Sequence, residues 1–177
     1  SFDHRHQFVG SGTVEFPLFR GWGGWRERVF GNWRLSCIGT VQSGAPFTVS
    51  LIEDRANIGA GPAQRPDLIG DPNLPGGQRS AVRWFDTGAF ALQNALTFGN
   101  APRNPVIGPG YAVVDVSLQK DWLVGDGGRL EFRWEIFNAL NRANFDVPNR
   151  FFGSPNFGRV FSALNAREMQ FGLRYSF

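Results

Sequence analysis

The chain has 177 residues with 23 glycines and 11 prolines, enough for one domain broken by many turns and with few helices. Its +3 charge rests almost wholly on arginine, with Lys120 the single lysine, a balance that serves solvated loops, a polar interior or anion contacts alike. Aromatics reach 15 %, heavy for an ordinary soluble domain, yet no run approaches the ~20 apolar residues that a transmembrane helix requires. A transmembrane strand is not excluded, since it needs only about 9–11 residues with one apolar face.

The chain opens at Ser1 with neither an initiator Met nor a basic-then-apolar leader, so its start is expected to be processed or cut. The first strand spans about His6 to Phe16, with Val14 and Phe16 opposing Thr13 and Glu15. A second runs from Asn32 to Gln42: Trp33, Leu35, Cys37, Gly39 and Val41 oppose Asn32, Arg34, Ser36, Thr40 and Gln42, and Ile38 falls out of pattern. Cys37 is the only cysteine, so no intrachain disulfide forms, and no Cys/His zinc spacing exists. A third strand places Ala112, Val114, Val116 and Leu118 against Val113, Asp115, Ser117 and Gln119. In the fourth, Leu130, Phe132, Trp134 and Ile136 alternate with Arg129, Glu131, Arg133 and Glu135. The last, from Arg167 to Phe177, sets Met169, Phe171, Leu173, Tyr175 and Phe177 against Gln170, Gly172, Arg174 and Ser176.

The connections alternate in length. Pro17 to Gly31 and Asp121 to Gly128 are short, whereas Leu51 to Gly110 and about Leu140 to Ala166 are long and rich in Pro, Gly and Asn. Outer-membrane barrels have short periplasmic turns and longer extracellular loops, so the pattern predicts an all-β, antiparallel transmembrane barrel segment of about five strands with long extracellular loops. Phe177 then lies at the periplasmic end. Phe16, Trp22, Trp25, Trp33, Trp122, Tyr175 and Phe177 gather at that same end, where an interfacial girdle would place them. Five strands cannot close a membrane barrel, because an open edge leaves backbone groups unpaired in hydrocarbon at several kcal/mol each. Residues 1–177 are therefore expected to be the C-terminal part of a larger barrel, with any plug domain and earlier strands outside them.

Specific strings sharpen this reading. They include Asn32-Trp33-Arg34-Leu35-Ser36, Gln42-Ser43-Gly44-Ala45-Pro46-Phe47-Thr48-Val49, Arg65-Pro66-Asp67-Leu68 and Gly70-Asp71-Pro72. Further on come Trp84-Phe85-Asp86-Thr87-Gly88-Ala89-Phe90, Phe98-Gly99-Asn100, Arg103-Asn104 and Gly108-Pro109-Gly110. The series ends with Asp115-Val116-Ser117-Leu118, Phe132-Arg133-Trp134-Glu135-Ile136-Phe137-Asn138, Asn144-Phe145 and Gln170-Phe171-Gly172-Leu173-Arg174. In this order they resemble the C-terminal β-barrel region of TonB-dependent outer-membrane receptors of the Oar-like kind. The resemblance implies a Gram-negative outer-membrane location, a barrel of about 22 strands with a plugged lumen, and substrate uptake into the periplasm energised by TonB. TonB itself would act through an N-terminal region that these residues lack.

The resemblance also implies that Phe171, Leu173, Tyr175 and Phe177 are read by the barrel-assembly machinery, and strand addition to an open seam supplies the physics. The ordinary alternative is that they only face lipid. The loop from Leu51 to Gly110 exceeds a plain connection, and Trp84, Phe85 and Phe90 argue against simple linker. In it Arg65, Arg79, Arg83, Trp84 and Arg103 are candidate contacts for an anionic ligand or for lipopolysaccharide phosphates; the competing expectation is a folded loop packed on neighbouring loops of the barrel. Asp3, His4 and His6 permit a metal site but find no further ligands. Asp54, Asp67, Asp71 and Asp86 lack the dense spacing of a calcium loop. Glu131, Arg133 and Glu135 read as an inward ion-pair ladder before they read as a catalytic acid pair.

No cofactor is expected, and no nucleophile elbow, phosphate loop or triad spacing points to an enzyme. The expected partners are outer-membrane lipid and lipopolysaccharide, the assembly machinery, TonB and the remaining strands, with no nucleic acid. Two other classes stay open: a non-transport outer-membrane barrel serving adhesion or assembly, and a soluble secreted β-sandwich binding carbohydrate through surface aromatics.

Overall fold

Period-two sequence becomes sheet wherever the alternation was read. The computed structural model describes residues 3–17, 21, 23–59, 64–125 and 127–177. Five long strands form one sheet in chain order: β1 Gln7–Phe16, β2 Trp33–Gln42, β3 Tyr111–Val124, β4 Gly128–Phe137 and β5 Glu168–Ser176. β4 is antiparallel to both neighbours, pairing Leu118 with Trp134 and Trp134 with Phe171. Between β1 and β2, Thr13 meets Ser36 and Glu15 meets Arg34, which is again an antiparallel register. Gly31, just before β2, meets Lys120 late in β3, and Gln42 at the other end meets Gly110, so this pair also runs antiparallel.

The third strand is longer than the alternation predicts. β3 continues through Lys120 and Asp121 to Val124, so the expected connection from Asp121 to Gly128 shrinks to residues 125–127. Gly125 (φ 63°) and Gly127 (φ 150°) adopt the positive dihedrals that such a hairpin turn demands. The other short connection holds a helix that no periodicity announces, α1 Gly24–Phe30. Its end is fixed by Gly31, where a Cβ would lie 2.6 Å from the Glu27 carbonyl. Among the described residues, no helix is long and apolar enough to cross a membrane.

The chain divides into two compact units. One comprises Phe8–Val41, Ala112–Ala143 and Asn165–Phe177, which hold α1 and nearly all of the sheet. The other comprises Ser1–Gln7, Gln42–Tyr111 and Asn144–Leu164, the two long connections with their flanks.

The loop unit has its own hydrophobic core of Phe47, Val49, Phe85, Ala89, Phe90, Ala101 and Val106. Phe85 sits at its centre, with ring centroids 5.8 Å from Phe47, 6.0 Å from Phe90 and 5.0 Å from Phe157, all edge-on. Edge-on packing suits the aromatic quadrupole and adds about 0.5–1.5 kcal/mol per pair beyond area burial. Short strand pairs stitch the segments together: Pro46–Phe47 with Val106–Ile107, Asp67–Leu68 with Phe90–Ala91, and Ser50–Leu51 with Phe151–Phe152. The long connections are thus folded loops that pack around an aromatic core of their own.

Candidate functional site: the two faces of the sheet

Register sorts the side chains of the sheet unit onto two faces. On one lie Met169, Phe171, Leu173 and Tyr175 of β5, opposite Ile136, Trp134, Phe132 and Leu130 of β4. Those in turn oppose Val116, Leu118, Lys120 and Trp122 of β3. Trp134 and Phe171 stack at 5.8 Å with only 9° between their planes, and Phe132 lies 6.3 Å from Phe171. This face is built from cross-strand apolar pairs, yet Phe171 and Leu173 remain 69 % and 71 % exposed. In water so broad an apolar surface would be a liability; against hydrocarbon it is a match. Phe177 follows the strand, fully exposed, its ring 5.9 Å from Tyr175. Of the four residues expected to carry an assembly signal, Phe171, Leu173 and Tyr175 lie on a strand whose outer edge is open among the described residues, and Phe177 directly follows it.

One residue breaks the apolar pattern. Lys120 shares the face with Leu118 and Trp122 and is only 2 % exposed. Its ammonium donates to the Gly31 carbonyl and lies 5.9 Å from the Trp33 ring and 5.6 Å from the Trp122 ring. The Trp122 indole donates to the Arg28 carbonyl at 2.7 Å and the Trp33 indole to the Val29 carbonyl at 3.0 Å. Helix ends leave carbonyls unpaired, and here two indoles and an ammonium satisfy those at and just beyond the end of α1. Phe16, Trp33, Trp122, Tyr175 and Phe177 all fall at this end of the sheet, and Trp25 lies on α1; Trp22 lies outside the described residues. Sequence alone did not show that Trp33 and Trp122 also hold a helix.

The other face is polar and carries both signs. Arg34 pairs with Glu15 at 2.9 Å and Arg129 with Asp121 at 2.6 Å. Arg133 bonds Glu131 at 2.8 Å and approaches Glu135 at 3.7 Å, and the Gln170 amide donates to Glu135. Glu131, Arg133 and Glu135 are therefore knit together as an ion-pair ladder. These partly exposed pairs are screened by solvent, so the ladder sets the polarity of the face more than its stability.

The loop candidates separate by role. Trp84 donates its indole N–H to the Ile107 carbonyl at 3.0 Å and packs edge-on to Phe145. Arg79 lies over the Trp84 ring at 5.8 Å while its Nε donates to the Leu74 carbonyl. Arg83 is paired with Asp86 at 2.6 Å. Arg65 is half-buried and Arg103 exposed, and neither is bonded to these three. The structure thus brings Arg79 and Trp84 together and leaves the five without a common centre.

The loop aspartates shape turns. The Asp54 carboxylate accepts from the Ile58 and Gly59 amides and from Gln64; burial pushes its pKa up, but these bonds outweigh it and hold the group below its usual 3.8. Asp67 accepts from Asn100, Asp71 from Asn73 and Asp86 from Gly88. His4 bonds the Ser43 carbonyl at 3.1 Å. Among the described residues, no group of three or more His, Cys, Asp or Glu is placed to hold a metal ion.

A family model described as an outer membrane beta barrel domain matches residues 1–170. No curated protein and no solved structure matches the chain.

Proposed function

The chain belongs to the outer membrane beta barrel domain family, which places it in the outer membrane, and from that premise we propose that it is the C-terminal barrel portion of a TonB-dependent receptor importing a substrate into the periplasm. The observation that carries the reading is the form of the sheet: five strands in chain order, apolar on one face and charged on the other, with both outer edges open among the described residues. Open edges are not tolerated in hydrocarbon, so further strands must close the sheet. The apolar face meets lipid and the ion-pair face lines the lumen. The ordered strings from Asn32-Trp33-Arg34 to Phe171-Gly172-Leu173-Arg174 favour a TonB-dependent receptor over other large barrels.

In this reading the short-turn end, with Phe177, faces the periplasm, and the folded loops belong to the extracellular side. Phe171, Leu173, Tyr175 and Phe177 present the assembly machinery with an apolar strand edge. Of the candidate contacts, Arg65 and Arg103 are assigned to an anionic ligand or lipopolysaccharide.

The test is binding of the purified periplasmic domain of TonB to the full-length protein, read together with the gene sequence ahead of Ser1. A plug domain with a TonB box, and binding lost when that box is deleted, is the expected result. A start codon just before Ser1, with no TonB binding, overturns the receptor reading and leaves the outer-membrane barrel intact.

A further inference from the structure

A surface helix in water turns its apolar side to the protein and its charges outward. α1 leaves its apolar side chains exposed instead. Trp25, Val29 and Phe30 are 64 %, 46 % and 47 % exposed, whereas Glu27 is half-buried and turned back, its carboxylate accepting from the Gly23 amide. Trp25 and Val29, four residues apart, share one side, and the Phe30 ring lies 6.3 Å from Trp25. Beside these rings stand two exposed arginines, Arg26, whose guanidinium lies 5.8 Å from the Trp25 ring, and Arg28.

The position of the helix gives this exposure its meaning. The groups that hold its C-terminal carbonyls, Trp33, Lys120 and Trp122, all project from the apolar face of the sheet at its short-turn end. A cleft of about 750 Å³ runs between α1 and the end of the β3–β4 hairpin, with Arg28 and Trp122 on its wall. The exposed rings of α1 therefore continue the lipid-facing surface, at the level where a strand leaves hydrocarbon. Indole rings and arginines side by side suit the headgroup zone, the rings toward the acyl boundary and the guanidinium groups toward phosphate.

We propose that α1 is a membrane-interface helix that seats the short-turn rim of the sheet on anionic glycerophospholipid of the periplasmic leaflet, with Trp25, Val29 and Phe30 entering the interface and Arg26 and Arg28 binding headgroup phosphate. The proposal rests on the outer-membrane assignment and on the orientation given above.

The test places nitroxide labels, one at a time, at Val29→Cys, Leu173→Cys and Ile69→Cys in a Cys37→Ser background. The full-length protein is reconstituted into vesicles of phosphatidylethanolamine and phosphatidylglycerol. Collision with oxygen against a water-soluble nickel chelate reports the surroundings of each label. Positions 29 and 173 should favour oxygen and position 69 nickel. If position 29 favours nickel, or is shielded from both reagents as beneath another protein segment, while 173 favours oxygen, the helix is no lipid anchor and the lipid-facing sheet stands. If 173 also favours nickel, the membrane-facing reading of the sheet falls with it.

A second arm measures association of spin-labelled phosphatidylglycerol relative to phosphatidylcholine. Arg26→Gln and Arg28→Gln should each weaken that preference roughly fivefold, the effect of one cation at an anionic surface. An unchanged preference in the double variant overturns the phosphate contacts.

Discussion

Lys120 concentrates the physics of the short-turn end in one side chain. A buried ammonium costs several kcal/mol in desolvation unless its partners return it. Here they are a carbonyl and two indole faces. A charge-assisted hydrogen bond is worth about 1.5–3 kcal/mol and a cation–π contact about 0.5–2 kcal/mol. Lys120→Met removes the charge and its desolvation together but leaves the Gly31 carbonyl without its donor. We expect a loss of about 1–3 kcal/mol, read as a lower urea midpoint in detergent micelles. Equal or higher stability would mean that desolvation dominates and that the lysine is kept for something other than stability. Lys120 also offers a direct check: peptide mapping after treatment with an amine-reactive reagent should find it modified only when the protein has been unfolded. The same residue explains why sequence ended the third strand early. Read alone, a lysine after Val114, Val116 and Leu118 breaks the apolar face; of the partners that let it stay there, Trp33 and Gly31 lie almost ninety residues away and only Trp122 is near in sequence.

At the scale of elements, the strands were legible because a pleated backbone turns alternate residues to opposite faces, and a sheet between lipid and lumen must alternate strictly. Even Ile38, out of pattern on β2, sits on the polar face where the register puts it. α1 was not legible, since seven residues span two turns, too few for a 3.6-residue period, and its apolar side chains point the wrong way for a soluble helix. The two faces make opposite predictions for one substitution. Leu173→Arg puts a guanidinium on the apolar face near the middle of β5 and should cost about 2–4 kcal/mol if that point lies at the bilayer midplane. Gln170→Arg adds the same group to the polar face beside Glu135 and should shift stability by less than about 1 kcal/mol. Urea unfolding in phospholipid vesicles, followed by heat-modifiable gel mobility, separates the two; equal costs would show that the faces do not differ in solvent.

At the scale of the molecule, two kinds of interior coexist in one chain. The sheet unit stacks cross-strand pairs on an apolar face that stays exposed, as a wall between lipid and lumen does. The loop unit buries an aromatic cluster the way a water-soluble domain does. Composition anticipated neither that cluster nor the local use of the loop aspartates and arginines. Phe47, Phe85 and Phe157 lie far apart in sequence without a period, and their meeting depends on short pairings such as Ser50–Leu51 with Phe151–Phe152. Separate cores imply separable stabilities. Phe85→Ala removes the ring at the centre of the cluster and should destabilise the loop unit by about 3–5 kcal/mol, the usual cost of a large-to-alanine change in a packed core. Hydrogen exchange should then accelerate at amides held within that unit, such as Trp84, bonded to the Gly158 carbonyl, and Ala101, bonded to that of Pro66. Amides of β3 and β4 should keep their protection, because the ladder from Val116–Ile136 to Val124–Gly128 depends on none of the displaced rings. Loss of protection in those strands to the same degree would show that loops and sheet unfold as one cooperative body, and that the loop core is a condition for the wall rather than an addition to it.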